Sequence, residues 1–145
     1  MKSYIKDYPR PQLVRQKWLD LNGQWDFAFD DSNIGEAEAW YTQELPDSRT
    51  ITVPFTYETL LSGIGDETHH PCVWYQRTLD LTTTEAAQNR ILLHFEGSDF
   101  LTRVWVNGLY AGYHEGGYSR FSFDRELSRC TDFQVFQREF PVKAV

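Results

Sequence analysis

Val104-Trp105-Val106-Asn107-Gly108-Leu109-Tyr110-Ala111 is the most informative stretch of the chain. An Asn-Gly pair is the preferred occupant of a type I′ turn, where both central residues need positive φ, and apolar runs flank it on both sides. The stretch predicts an antiparallel hairpin. Outward from it the same period of two recurs. Trp25, Phe27 and Phe29 alternate with Asp26, Ala28 and Asp30, and Val73, Tyr75, Arg77 and Leu79 alternate with Trp74, Gln76, Thr78 and Asp80. Ile91, Leu93 and Phe95 alternate with Leu92, His94 and Glu96. Alternation at this spacing places one face of each strand inward. Further strands are predicted over 50–55, 101–106, 109–113 and 118–123, with a weaker one over 133–136.

A second Asn-Gly pair, Asn22-Gly23, predicts another hairpin between 18–21 and 24–29. Helical pattern is sparse: a turn or two over 36–41, and a capping-box spacing at Thr82-Thr83-Thr84-Glu85. Tyr8-Pro9-Arg10-Pro11 cannot join a central strand, so residues 1–17 read as a lead-in along the surface. Many short strands and few helices predict an all-β fold, an antiparallel β-sandwich of jelly-roll type, with an immunoglobulin-like sandwich as the neighbouring solution.

The chain has 145 residues, one domain's worth, enough to bury about two thirds of its unfolded surface. Fourteen basic against 21 acidic residues give a net charge of -7, which disfavours partners held through phosphates, so neither nucleic acid nor membrane is expected. The acids concentrate in residues 18–70, which hold eleven of them and a single base. No apolar run approaches the roughly 20 residues of a membrane span, and the N-terminus lacks a secretory stretch, so a cytoplasmic location is expected. Cys72 and Cys130 lack metal-type spacing and read as reduced thiols. No cofactor is implied.

Signals for catalysis are poor. Asp30-Asp31, Glu36/Glu38 and Asp66-Glu67 could supply a carboxylate pair, but as acidic loop residues they read first as solvated charge. His69-His70 is the sharpest histidine feature, yet neighbours on an extended chain point to opposite sides, which does not suit one metal. His94 and His114 add no ligand spacing, there is no Gly-x-Ser-x-Gly elbow, and the glycines of 112–117 do not form a phosphate loop. Aromatic residues, 16% of the chain, are a different matter. Trp74, Tyr75 and Trp105 sit within alternating strands, where core packing is the first reading and a stacking platform the second. Sugars offer an apolar CH face and hydroxyls, and the loop over 60–71 with Asp66, His69 and His70, running on to Trp74, has the composition to meet both. These four are the candidate carbohydrate-binding residues.

Ile51-Thr52-Val53-Pro54-Phe55, Leu61-Ser62-Gly63-Ile64-Gly65 and Val73-Trp74-Tyr75-Gln76-Arg77 together resemble the N-terminal sugar-binding domain of family 2 glycoside hydrolases, the β-galactosidase, β-glucuronidase and β-mannosidase group. The resemblance continues in Leu92-Leu93-His94-Phe95-Glu96-Gly97, in the Asn107-Gly108 hairpin, and in Gly112-Tyr113-His114-Glu115-Gly116-Gly117-Tyr118 leading to Phe121-Ser122-Phe123-Asp124. Arg15, Leu21-Asn22-Gly23 and Trp25 agree with it, so it spans about residues 8–127 in order.

It implies a jelly-roll sandwich of galactose-binding-like type, placed in such enzymes before an immunoglobulin-like domain and a barrel that carries both glutamates of a retaining mechanism. It implies that the family's acid/base glutamate follows an asparagine, and Asn22, Asn33, Asn89 and Asn107 are not followed by Glu, so no catalytic residue is expected here. By position, loop 62–70 is the part expected to reach the rim of a sugar pocket. Pro54, Gly63, Trp74 and Asn107-Gly108 read as turn and packing elements, and Arg77 as an ion-pair partner of a neighbouring strand acid.

The domain is bounded at 18–127. Residues 128–145 depart from the family pattern and read as an atypical tail, either a closing strand or the sign of a missing one, in which case an uncapped sheet edge would favour self-association. Three functions follow from these readings. One is an accessory domain of a β-glycosidase, binding a β-galactoside or β-glucuronide and inactive alone. The others are a free-standing carbohydrate-binding module and a structural sandwich without a ligand.

Overall fold

The computed structural model describes residues 18–80, 90–126 and 132–140. Eight strands follow in order: β1 (Gly23–Phe29), β2 (Arg49–Val53), β3 (Val73–Asp80), β4 (Arg90–Phe95), β5 (Leu101–Val106), β6 (Leu109–Glu115), β7 (Phe121–Glu126) and β8 (Asp132–Phe140). They form a six-stranded sheet in the order β2-β1-β3-β8-β5-β6 and a two-stranded sheet, β4-β7, with every pairing antiparallel. The expected β-sandwich is the fold. Short 3₁₀ turns at Trp40–Thr42 and Leu60–Ser62 are the described helical elements.

Alternation produces two cores. Trp25, Phe27, Ile51, Val73, Tyr75, Val104 and Val106 face the two-stranded sheet, which contributes Leu93, Phe95 and Phe123. Residues one step out of phase, Ala28, Trp74 and Trp105, lie on the opposite face with Trp40, Leu45 and Cys72. The long β1–β2 connection covers that second face. Gly35 makes the cover fit: a Cβ there would come 2.6 Å from Trp74 Nε1 and 2.8 Å from the Trp40 ring. Past the cover, the same face opens into a polar groove lined by Gln24, Asp26, Thr50, Gln76 and Thr78.

The two Asn-Gly pairs diverge. Asn107 (φ 51°) and Gly108 (φ 75°) both occupy the left-handed region, and the hairpin β5–β6 forms as expected. At Asn22-Gly23 only the glycine does, and residues 18–22 are not a strand. The Asn22 N–H is instead taken by the Asp20 carboxylate (2.9 Å), and the carbonyls of Leu21 and Asn22 accept from the Arg77 guanidinium. Arg77 thus holds backbone carbonyls and lies 5.8 Å over the Trp25 ring, rather than pairing with a strand acid as its sequence position suggested.

The weak prediction over 133–136 proved the most consequential. β8 runs between β3 and β5 and pairs with both, so the segment after residue 131 joins the halves of the large sheet rather than leaving a gap. Among the described residues the outer strands are β2 and β6. The capping-box segment at 82–85 and Cys130 lie outside the described residues, as does the lead-in 1–17. Cys72 is buried in the second core. Among the described residues no helix is long and apolar enough to cross a membrane.

Candidate functional site

At one end of the large sheet the β2–β3 loop folds back over β1, fastened by His70. The imidazole stacks on Phe29 at 3.6 Å between centroids and meets the edge of Tyr57 at 5.5 Å. Its Nδ1 lies 2.7 Å from Asp31 Oδ1, its Nε2 3.0 Å from Thr68 Oγ1 and 3.4 Å from Asp66 Oδ2. The single hydroxyl proton of Thr68 is taken by Asp66 Oδ1 at 2.6 Å, so oxygens that accept surround both ring nitrogens. With both nitrogens occupied, the ring has none left for a metal.

Asp66 anchors the loop from the other side. Its N–H donates to the Tyr57 carbonyl (3.0 Å), and its carboxylate accepts from the Thr68 hydroxyl and N–H. Those two hydrogen bonds from Thr68, with a smaller contribution from His70, hold the Asp66 pKa below its ordinary value of 3.8 against a small opposing desolvation. Burial raises the Tyr57 phenol, helped by the charge of the neighbouring Glu58, so it stays protonated at neutral pH.

Of the four residues singled out from sequence, the structure brings Asp66 and His70 into contact, leaves His69 exposed beside them, and separates Trp74. The opposed orientations of His69 and His70 follow the extended-chain argument. Trp74 is 0% exposed and belongs to the second core: its ring stacks with Trp105 at 5.3 Å, and its Nε1 donates to Asp30 Oδ2 at 3.0 Å. In this placement it has no free ring face for a sugar, and it packs the floor under the β1–β2 connection.

Asp30-Asp31 is where sequence reasoning fell shortest. Read as solvated loop charge, Asp30 is in fact buried and accepts from the N–H groups of Ile34 (2.8 Å) and Gly35 (3.0 Å) as well as from Trp74. Asp31 is the partner of His70. The available signal was positional: an acid directly after an alternating strand, followed by Ile34-Gly35, can turn its carboxylate back onto the N–H groups of the chain that follows. Phe29 and Tyr57 were also missed, since each becomes significant only once the loop folds over β1.

The fold is an antiparallel sandwich with a polar loop fastened over one sheet end. The chain belongs to the family described as glycosyl hydrolases family 2, sugar binding domain, which it matches over residues 18–128. It is 31% identical over 117 residues to a β-glucuronidase of Paenibacillus borealis, covering 81% of this chain and 19% of that protein. It is 30% identical over 112 residues to a β-galactosidase of Thermoanaerobacter pseudethanolicus, covering 74% of this chain and 13% of that one. A solved β-glucuronidase from Ruminococcus gnavus shares the fold with a TM-score of 0.76 at 22% identity, over 88% of this chain and 23% of the other. The chain therefore spans less than a quarter of the length of each of these proteins.

Proposed function

We propose that this chain serves as the sugar-binding accessory domain of a β-glycosidase acting on β-glucuronides or β-galactosides, and that loop 62–70 is the part it presents to the sugar. The observation that carries the reading is the fastening of that loop: His70 joins it to Asp31, at the end of β1, and to Asp66 within it, leaving Glu67 and His69 exposed at its outer surface. A loop held this way offers acceptors and a ring nitrogen to sugar hydroxyls without first having to be ordered, which lowers the cost of binding. The chemistry of bond cleavage belongs to residues outside this chain.

The test has two arms. Incubated with p-nitrophenyl β-glucuronide and β-galactoside, the pure chain is expected to release no nitrophenol, and turnover abolished by one carboxylate substitution would overturn the reading. Titration with glucuronate and galactose, followed by amide shifts in a ¹⁵N-labelled sample, is expected to perturb residues 62–70 weakly, in the millimolar range. Micromolar affinity for the chain alone would favour a free-standing module, and an unresponsive loop with both sugars would remove it from the site.

A further inference from the structure

At the outer edge of the large sheet, far from loop 62–70, two tyrosines stand side by side for a reason rooted in backbone register. Tyr110 and Tyr113 are three residues apart, which in a regular strand puts them on opposite faces. The β5–β6 pairing, however, shifts register between Val104 and Trp105, so Tyr110 lies opposite Trp105 and Tyr113 opposite Arg103. Trp105 and Arg103 share a face, and therefore so do the two phenols, one pleat repeat or about 7 Å apart. Gly112 permits this arrangement: it turns to the other face at φ 149°, where a Cβ would come 2.5 Å from the Phe123 ring.

The phenols are 49% and 63% exposed. Beneath them the support is rigid. Tyr110 leans on Trp105 at 5.5 Å, and Trp105 is stacked between Trp74 (5.3 Å) and Tyr41 (5.2 Å, interplanar angle 5°). Beside them Arg103 Nη1 donates to Glu36 Oε2 at 2.6 Å, and the exposed Glu115 follows Tyr113 on the same face.

We infer that Tyr110 and Tyr113, with the Arg103–Glu36 pair at their side, form a second carbohydrate-binding surface that takes a neutral oligosaccharide. Rings of this kind stack on the CH face of a pyranose, while the guanidinium donates to hydroxyls and the carboxylate accepts from them. Charge selects a neutral chain. Arg103 is paired with Glu36, and the further charged residues at register positions on this face, Glu115 on β6 and Arg138 on β8 opposite Arg103, are of opposite sign, so the surface offers no net positive charge to hold a uronate. Size points to a sugar rather than a protein partner: two phenols bounded by charged groups fall far short of the roughly 800 Å² per side that a stable protein interface needs. On its strand order the surface lies four strand spacings, about 19 Å, from β1 and the loop fastened over it. It stands apart from the reading of loop 62–70.

The test is a titration of the ¹⁵N-labelled chain with cellotetraose, xylotetraose and β-1,4-galactotetraose, and with a hyaluronan tetrasaccharide as the anionic probe. At least one neutral probe is expected to shift the amides of 103 and 110–113 saturably. Tyr110→Ala and Tyr113→Ala should each weaken that binding about fivefold or more. Tyr113→Ala should leave the rest of the amide spectrum unchanged, since the side chain is mostly outside the core. Absence of saturable shifts there with all three neutral probes overturns the inference, as does tighter binding of the anionic one. A dimer seen by light scattering that Tyr113→Ala dissolves would assign the surface to a second copy of the chain and overturn it equally. Shifts confined to 62–70 would support the loop reading alone.

Discussion

Two long connections leave the large sheet, and they are fastened in opposite ways. The β1–β2 connection is held from within by Asp30, 2% exposed, whose carboxylate gathers two backbone N–H groups and the Trp74 indole. The β2–β3 connection is held by a histidine whose carboxylate partners lie toward water, Asp31 with 60% of its side chain exposed. Buried donors that lose their acceptor find no water to replace it, whereas an exposed pair competes with solvent already and contributes little. The first connection is therefore a fixed part of the core. The second can loosen while the sandwich stays folded.

The largest effect should come from breaking the inner fastening. Asp30→Ala strands three N–H donors, each costing about 1–3 kcal/mol when left unpaired, so a loss of about 3 kcal/mol or more is expected. For a chain of this size that lowers the unfolding midpoint by about 10 °C, measurable by circular dichroism. Asp30→Asn sharpens the point. It keeps the shape but turns an NH₂ group toward donors, so it should destabilise nearly as much; an Asn variant with wild-type stability would show that the carboxylate is not the fastener. Gly35→Ala tests the same connection by crowding. Its methyl group would press on Trp74 and Trp40, with an expected cost of about 1–3 kcal/mol on the same unfolding curve.

The outer fastening should respond locally instead. His70→Ala removes the link between β1 and the loop, and the expected global loss is about 1 kcal/mol, with faster hydrogen exchange at residues 62–70 and little change in β3 and β5. If exchange accelerated evenly across the sandwich, the two connections would not differ in kind.

Most of the sandwich was legible in the sequence because a period of two and an Asn-Gly turn are local signals. Phe27 and Val73 announce their inward face through their immediate neighbours, and Asn107-Gly108 carries its turn within two residues. What failed depends on partners distant in sequence. Asn22-Gly23 has the same dipeptide, but no strand forms before it, because Arg77, more than fifty residues away, takes its carbonyls. β8 pairs on both sides with strands that lie far from it in sequence. At the candidate site Asp66 and His70 were singled out through composition, since a polar loop beside aromatics is a local pattern. Asp31 was not, for nothing near it in sequence reveals that a histidine 39 positions later returns to it. Trp74 shows the limit of composition from the other direction, an aromatic of the right kind placed beneath a cover that the sequence did not disclose.

The smallest effect lies in the pH response of the outer fastening, and its sign follows from Asp66. Hydrogen bonds from Thr68 lower the carboxyl pKa in the folded chain, so its ionised form favours the folded loop above the ordinary value of 3.8, and that contribution is lost as pH falls through the depressed folded value. Between pH 5 and 8 Asp66 should therefore leave loop order unchanged. Below about pH 3.8 the Thr68 amide, which donates to Asp66 at 2.9 Å, should shift and exchange faster in step with protonation, and Asp66→Asn should abolish that step. The Asp66→Asn variant is the control: if its Thr68 amide kept the acid step, the response would belong to another group, and the outer fastening would not yield through this carboxylate.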